Sequence, residues 1–338
     1  MAAIFSSGLA KHDFSNFIKQ GIFFALALAV MVAVSFFDYR ILRNNSYLIL
    51  ALYFLSLILL AGTLFFGPTI GGSKRWYKIG FLSLDPIEPA KIILIILLAK
   101  YFSMRHAELY RLRHIFISGV YVFLMAFLVF LRPNLGGAGI LTLIWLGVLL
   151  ASGIKLKHFL VMALCFLLVA GFAWQFLLKD YQKGRIESFL FPQDVLGNAW
   201  SQTQTKIAIG SGQWTGTGIG KDSQVQYGFL PDPHTDFIFS AIGEEWGLAG
   251  VSVLFAAYLL LVWRIIRVAV QSRFNFPRLF AIGFAVALMG QFCVNVGMNL
   301  AVFPVVGLYL PFVSYGGSGL IANFVSLGIL QSIWVREH

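Results

Sequence analysis

Apolar residues gather in long runs separated by short polar stretches. The spacing of those runs, rather than any strict alternation, organises the chain. Runs long enough to cross a hydrocarbon core of about 30 Å fall at nine places: 17–37, 46–66, 88–103, 114–131, 138–153, 158–178, 236–263, 279–298 and 305–334. The runs 88–103 and 138–153 are short and are expected to recruit flanking residues. The pattern predicts an all-α polytopic integral membrane protein, with one membrane domain over residues 1–338 and one large outer loop, 179–235, inside it. Composition agrees. Of 338 residues, 59% are hydrophobic and 12% charged, and the mean hydropathy is +0.83, which excludes a soluble domain.

Charge adds orientation. Arg40 and Arg43, then Arg105, Arg111 and Arg113, then Lys155 and Lys157, then Arg264, Arg267, Arg273 and Arg278 all fall in connections that share one side. Short loops rich in Lys and Arg are cytoplasmic, which puts residues 67–87 and 179–235 outside and the C-terminus inside. The formal charge of +11 therefore reflects topology and contact with anionic membrane lipids. No interleaving of basic and aromatic residues points to nucleic acid. Nine spans would put the N-terminus outside, so a first helix is expected to be missing ahead of residue 17. Residues 1–16 lack a charged n-region followed by an apolar core and do not read as a signal peptide. Cys165 and Cys293 fall in mid-span and read as small core residues, with no disulfide or metal implied.

The loop 179–235 is far longer than an ordinary connection and calls for a functional reason. Its segment 200–209 is amphipathic, and Trp200, Thr203, Ile207 and Trp214 suit a helix lying at the interface. The glycines at 210, 212, 216, 218 and 220 favour tight turns, with close approach to a phosphate as the alternative. Next, Pro231-Asp-Pro233 stiffens the chain and biases Leu230 and Asp232 towards extended backbone. Thr235 is placed to cap a helix that Asp236 would begin, with Ser240, Gly243 and Gly247 on the same stripe. Asp236 at a helix start can simply complement the dipole. Crowding of Asp232, His234, Glu244 and Glu245 at the lip of a bilayer argues instead for function. Asp232, His234 and Asp236 alternate oxygen and imidazole ligands, so a metal site is a second reading, although the prolines restrict convergence.

Two other stretches break the rules of a membrane helix. Lys74, Arg75 and Lys78 carry positive charge on the outer side, where an anionic partner would explain them. Glu88 and Lys91 follow at a helical spacing of three and can pair. Residues 303–319 hold two prolines and four glycines at membrane depth, and Arg132-Pro-Asn-Leu-Gly-Gly137 interrupts the chain after the fourth run. Broken backbone is tolerated there only when buried in protein or facing a watery cavity.

In order along the chain stand Lys74-Arg-Trp76 with Pro86, Glu88 and Lys91; Pro133-Asn-Leu-Gly136; and Ala208-Ile-Gly-Ser-Gly212. Then come Phe229-Leu-Pro231, His234-Thr-Asp-Phe-Ile-Phe239, Gly243-Glu-Glu245, Pro304-Val-Val-Gly307, Pro311 and Ser314-Tyr-Gly-Gly-Ser318. This ordered set resembles the shape, elongation, division and sporulation (SEDS) family of peptidoglycan polymerases over nearly the whole chain. Ala208-Ile-Gly-Ser-Gly212 is closer to its rod-shape branch than to its division branch. The family has ten spans with the large loop after the seventh; here the loop follows the sixth, and Ile4-Phe-Ser-Ser7 resembles the end of the family's first span.

The resemblance implies an inverting, lipid-linked glycosyltransferase in the bacterial cytoplasmic membrane. It would join lipid II into glycan strands at the outer face for cell elongation and shape, beside a class B penicillin-binding protein that cross-links them. Asp236 matches the family's essential aspartate and would be the catalytic base. Arg75, Lys91 and Lys206 would hold pyrophosphate, with Lys74 and Lys78 as further candidates. Glu88 would position Lys91, and His234 and Ser314 complete the substrate-binding set. A divalent cation, Mg or Mn, is left open as a cofactor. Asn134 replaces a common aspartate, Trp200-Ser201 a common Tyr-Gln, Tyr309 a proline and Gly319 a small hydroxyl residue. Two rival functions are a lipid II flippase, which would place its key ions near the midplane, and a non-catalytic scaffold, for which changes at the outer acid would be silent.

Overall fold

The computed structural model describes the chain except residues 1, 12–13, 69–73, 80–81, 106–111, 155–156, 162–163, 165–170, 172–173, 177–179, 192–199, 222–223 and 338. Its helices are α1 (Ala2–Lys11), α2 (Ser15–Phe36), α3 (Arg40–Asn44), α4 (Ser46–Phe66), α5 (Ile87–Ser103), α6 (Leu112–Leu131) and α7 (Leu135–Ala151). They continue with α8 (Asp180–Leu190), α9 (Trp200–Ser211), α10 (Ile238–Gln271), α11 (Asn275–Asn299) and α12 (Gly317–Glu337). A small antiparallel hairpin, β1 (Tyr77–Ile79) and β2 (Leu82–Leu84), precedes α5 and pairs Lys78 with Ser83.

Eight of the nine apolar runs become helices, and the run 158–178 lies largely outside the described residues. Helices α2, α4, α6, α10, α11 and α12 are long and apolar enough to cross a membrane. Helices α5 and α7 have 17 residues each, as the two short runs foreshadow. The chain is a multi-pass membrane protein. The largest boundary difference is in the last helix, which begins at Gly317 instead of near residue 305, because Pro304 and Pro311 keep the preceding backbone out of the helical ladder.

Two units make up the chain. The first comprises Met1–Asn16, Ile154–Phe255 and Cys293–Leu310; the second comprises Phe17–Gly153, Ala256–Phe292 and Pro311–His338. In the second unit α5 is buried on nearly every side, from Leu94 to Ala99 and at Phe102, as a helix that is apolar all round should be. Helices α4, α6 and α7 pack around it, and Phe23 and Ala27 of α2 meet Leu320 and Phe324 of α12. Outward faces such as Phe54 and Ile58 of α4 stay exposed and suit lipid.

One end of this unit is basic. Arg336 donates to the carbonyls of Ser35 (3.1 Å) and Phe36 (2.6 Å), which α2 leaves unsatisfied at its C-terminus. Glu337 accepts from the Tyr39 hydroxyl at 2.8 Å and from the Arg273 amide at 3.1 Å, and Arg43 lies over the Phe274 ring at 4.6 Å. The basic connections 38–45 and 264–278 thus meet at one end, as the charge pattern predicts.

In the first unit the glycine-rich segment after α9 repairs a break in α10. Gly247 has φ 63 and interrupts the helix. The amides of Leu248 and Ala249 lose their partners four residues back, Glu244 and Glu245. They donate instead to the carbonyls of Gln213 (2.9 Å) and Trp214 (3.1 Å). In exchange the amides of Thr217 (2.9 Å) and Gly218 (3.1 Å) donate to the carbonyls of Glu244 and Glu245. Two bonds lost to the break are replaced by four to the loop. The glycines therefore serve turns and close approach, but the backbone they approach is that of α10. A Cβ on Gly212 would lie 1.9 Å from the Gly243 carbonyl, and one on Gly216, which has φ +83, would lie 2.1 Å from that of Glu245. Helix α9 forms where expected; it buries Gln202, Gln204, Thr205 and Ala208, while Ile207 and, beyond its end, Trp214 are exposed.

This interlock yields the first prediction. Gly216→Ala combines a steric clash with a left-handed backbone and should destabilise the loop by about 2 kcal/mol. The expected outcome is faster proteolysis within 210–221 and a lower melting temperature in detergent, while Gly210→Ala, whose Cβ meets nothing within 4 Å, leaves both unchanged.

Candidate functional site

The site residues divide between the units: His234, Asp236 and Lys206 belong to the first, and Arg75, Glu88, Lys91 and Ser314 to the second.

Asp236 sits half-buried in a turn that precedes α10. The helix starts at Ile238, two residues later than expected. The Asp232 carbonyl accepts from the amides of Thr235 (3.1 Å) and Phe237 (3.4 Å), and the Thr235 hydroxyl turns back to the same carbonyl at 3.4 Å. Asp232 is left-handed, with φ 39, and not extended as Pro233 alone would bias it. Aspartate tolerates that conformation better than most residues, and the turn requires it. Leu230 and Phe237 anchor the two ends of the turn by packing with Val225 and Ala241. The Asp236 carbonyl is gripped from α11 by the Asn295 and Asn299 side chains, at 2.9 and 3.1 Å. His234 occupies the same turn, half-buried, and Lys206 is exposed on α9. Asp232, His234 and Asp236 do not converge: among the described residues no three His, Cys, Asp or Glu side chains gather as metal ligands. Glu244 and Glu245 are buried, and Glu244 Oε1 accepts the Gln224 amide at 2.6 Å.

In the second unit Glu88 and Lys91 pair as predicted, with Lys91 Nζ 3.0 Å from Glu88 Oε2, and both are buried. Lys91 also donates to Gln291 Oε1 of α11 at 3.0 Å. Burying an ammonium without such partners would be costly. Arg75 reaches from before the hairpin to the Pro133 carbonyl at 3.3 Å. Beside Pro133, the fully buried Arg132 forms an ion pair of 3.0 Å with Asp85, one turn ahead of Glu88. Asp85 also accepts the Ile87 amide at 3.0 Å, while its own amide donates to Ser318 of α12 at 3.4 Å. Burial pushes the Asp85 carboxyl above the usual carboxylate range, and the Arg132 guanidinium is the main opposing influence. Asn134 caps α7 by accepting the Gly137 amide at 2.9 Å, a role that needs an oxygen but no negative charge. Ser314 is buried, and its carbonyl accepts from Gln20 Nε2 at 3.3 Å, while Gln20 Oε1 accepts the Gly316 amide at 3.2 Å.

The sequence reading did not single out the polar contacts that Gln20, Asp85, Arg132 and Gln291 make in the second unit, or those of Asn295 and Asn299 in the first. Polar residues inside apolar runs, above all Asn295 and Asn299 four apart on α11, were the available signal. Cys293 is exposed on α11 instead of buried, because the buried face there is taken by Gln291, Phe292, Asn295 and Val296. Cys165 lies outside the described residues.

The Asp85–Arg132 pair supports a second prediction. Removing one member of a buried pair strands the other and costs about 3–5 kcal/mol, whereas replacing both by apolar groups is often neutral. Asp85→Ala should lower the melting temperature markedly, and Asp85→Ala combined with Arg132→Leu should recover most of the loss in the same thermal denaturation assay.

Comparison with known proteins extends the resemblance seen in the ordered motifs. The family model for the FtsW, RodA and SpoVE cell cycle proteins matches residues 1–338. The peptidoglycan glycosyltransferase MrdB of Escherichia coli strain K12 is 36% identical over 313 residues, which are 91% of this chain and 83% of MrdB. The probable peptidoglycan glycosyltransferase FtsW of Thiomicrospira cyclica is 36% identical over 287 residues, 83% of this chain and 73% of its own length. Among solved structures, a chain of a peptidoglycan synthase complex, described as coordinating polymerization and crosslinking, aligns with a TM-score of 0.84 at 31% identity. It covers 99% of this chain and 94% of that one. The rod shape determining protein RodA of Thermus thermophilus aligns at 0.73 with 29% identity, over 99% and 93% of the two chains. Agreement in motif order, in sequence and in fold runs from one end of the chain to the other, and the chain belongs to the FtsW, RodA and SpoVE family.

Proposed function

We infer that this protein is a peptidoglycan glycosyltransferase that polymerises lipid II into glycan strands at the outer face of the cytoplasmic membrane, in cell elongation. The observation that carries the reading is the match to MrdB, a named peptidoglycan glycosyltransferase, over 91% of the chain. The likeness to a synthase complex that couples polymerization to crosslinking supports a class B penicillin-binding protein as partner. The C-terminus is assigned to the cytoplasm, in keeping with the basic end at which Arg336, Arg273 and Arg43 meet.

Joining an acceptor 4-hydroxyl to the anomeric carbon of an α-linked sugar pyrophosphate with inversion needs two things. A base must take the hydroxyl proton, and positive charge must meet the departing pyrophosphate. Asp236 is assigned the first task. Its place on a turn whose main chain is held by two asparagine side chains supports this assignment. The new C–O bond forms as the bond to pyrophosphate breaks, and the proton passes to Asp236. Arg75, Lys91 and Lys206 are assigned to the pyrophosphate, with Glu88 fixing Lys91 and with His234 and Ser314 contacting substrate. No step requires a metal ligated by the Asp236 turn; a divalent cation carried with the substrate pyrophosphate is compatible with this division of labour.

The deciding measurement uses the purified protein with its penicillin-binding partner and lipid II. Wild type should form glycan strands, and Asp236→Asn should slow polymerisation by about 100-fold or more, the range of a lost general base. Polymerisation by Asp236→Asn at the wild-type rate removes Asp236 as the base. Wild type that moves labelled lipid II across liposomes without making polymer identifies a transporter instead.

A further inference from the structure

Two asparagines on α11 hold the turn that carries Asp236, and their geometry exceeds what packing of that helix demands. Asn295 and Asn299 lie four residues apart, on one face, and both are fully buried. Asn295 Nδ2 donates to the Asp236 carbonyl at 2.9 Å and to the Leu308 carbonyl at 2.7 Å. A single amide thus ties α11 to the Asp236 turn and to the non-helical stretch after α11. Asn299 Nδ2 donates to the same Asp236 carbonyl at 3.1 Å. Both lone pairs of that oxygen are therefore engaged, and from two directions.

The orientation of Asn299 is itself enforced. Its Oδ1 accepts from the Ser240 amide at 3.2 Å and from the Ser240 hydroxyl at 2.6 Å. An amide flipped by half a turn would set its NH2 against the Ser240 amide and its oxygen against the Asp236 carbonyl. Ser240, Asn299 and Asn295 form a chain of contacts in which each amide has one workable orientation, and the chain ends on residue 236. Leucine at 295 and 299 would satisfy α11 equally well as a membrane helix.

We propose that Asn295 and Asn299, oriented by Ser240, are positioning residues for glycosyl transfer, fixing the Asp236 main chain so that its carboxylate meets the acceptor hydroxyl. The proposal rests on the reading of Asp236 as the base. None of the three needs to touch substrate. Their effect is on where the carboxylate stands, and a displacement of about 1 Å at a reacting group can cost 100-fold in rate.

The test is steady-state polymerisation of lipid II by the purified protein and its penicillin-binding partner, with kcat and KM measured separately. Asn295→Leu should lower kcat by about 10- to 100-fold and leave KM within about twofold, the signature of a loss felt in the transition state. Ser240→Ala, the variant least able to disturb folding, should lower kcat by about three- to tenfold in the same way. In an Asp236→Asn background neither change should reduce the residual rate further, since there is no base left to misplace. If Asn295→Leu does not fold, Ser240→Ala decides alone. An inactive Asp236→Asn protein beside fully active Asn295→Leu and Ser240→Ala proteins overturns the positioning role while keeping the base. Equal losses with and without Asp236 assign the asparagines to stability only, and a fully active Asp236→Asn protein removes both readings together.

Discussion

A main chain that leaves the helical ladder at membrane depth exposes amides and carbonyls that no water can satisfy, and each break must therefore be closed by the protein itself. The architecture of this protein follows from that constraint. At Gly247 the closing partners are main-chain groups of the segment 213–218, exchanged two for two with those of α10. At the Asp236 turn they are asparagine side chains from α11. At Ser314 and Gly316 they come from the two ends of one glutamine, Gln20 of α2. The C-terminus of α2 uses the same device at an exposed position, where an arginine from α12 supplies the donors. An amide or guanidinium side chain can make several directed bonds from one position, which explains why these residues recur wherever the backbone departs from a helix.

Charge follows the same economy. The buried cations Lys91 and Arg132 each stand beside a carboxylate, Glu88 and Asp85. Both pairs lie about the N-terminal turn of α5, and Arg75 binds the carbonyl next to Arg132. The start of α5 is thus held by polar contacts while the rest of the helix is sheathed in apolar side chains. An element anchored this way keeps its charged groups in a fixed place against a medium that would otherwise neutralise or expel them.

Much of this was legible in the sequence. Hydrophobic runs located eight helices because lipid admits few other solutions, and the proline and glycine clusters marked the breaks at 132–137 and 303–319 but not the one at Gly247. The Glu88–Lys91 spacing named its own pair. What the sequence did not carry was partnership across long separations. Arg132 and Asp85 are 47 residues apart, and Gln20 is 294 residues from Ser314. Local rules also misjudged the Asp236 turn. Threonine before aspartate is a good helix start by propensity, but a left-handed Asp232 and two distant asparagines delay the helix to Ile238. Tertiary contacts overrode a sound local preference there, as they did for Cys293, whose side of α11 nothing nearby in sequence determines.

The repair at Gly247 separates attachment from appearance. The segment 213–218 is fastened to α10 almost wholly by its main chain, and glycine is required only where backbones touch. Trp214 and Thr215 are exposed and contribute no side chain to the joint. A surface built on such a joint is free to change its chemistry without changing its shape. Selection acting on what this loop meets at the membrane face can rewrite those side chains one at a time, and the helix beneath would register none of it.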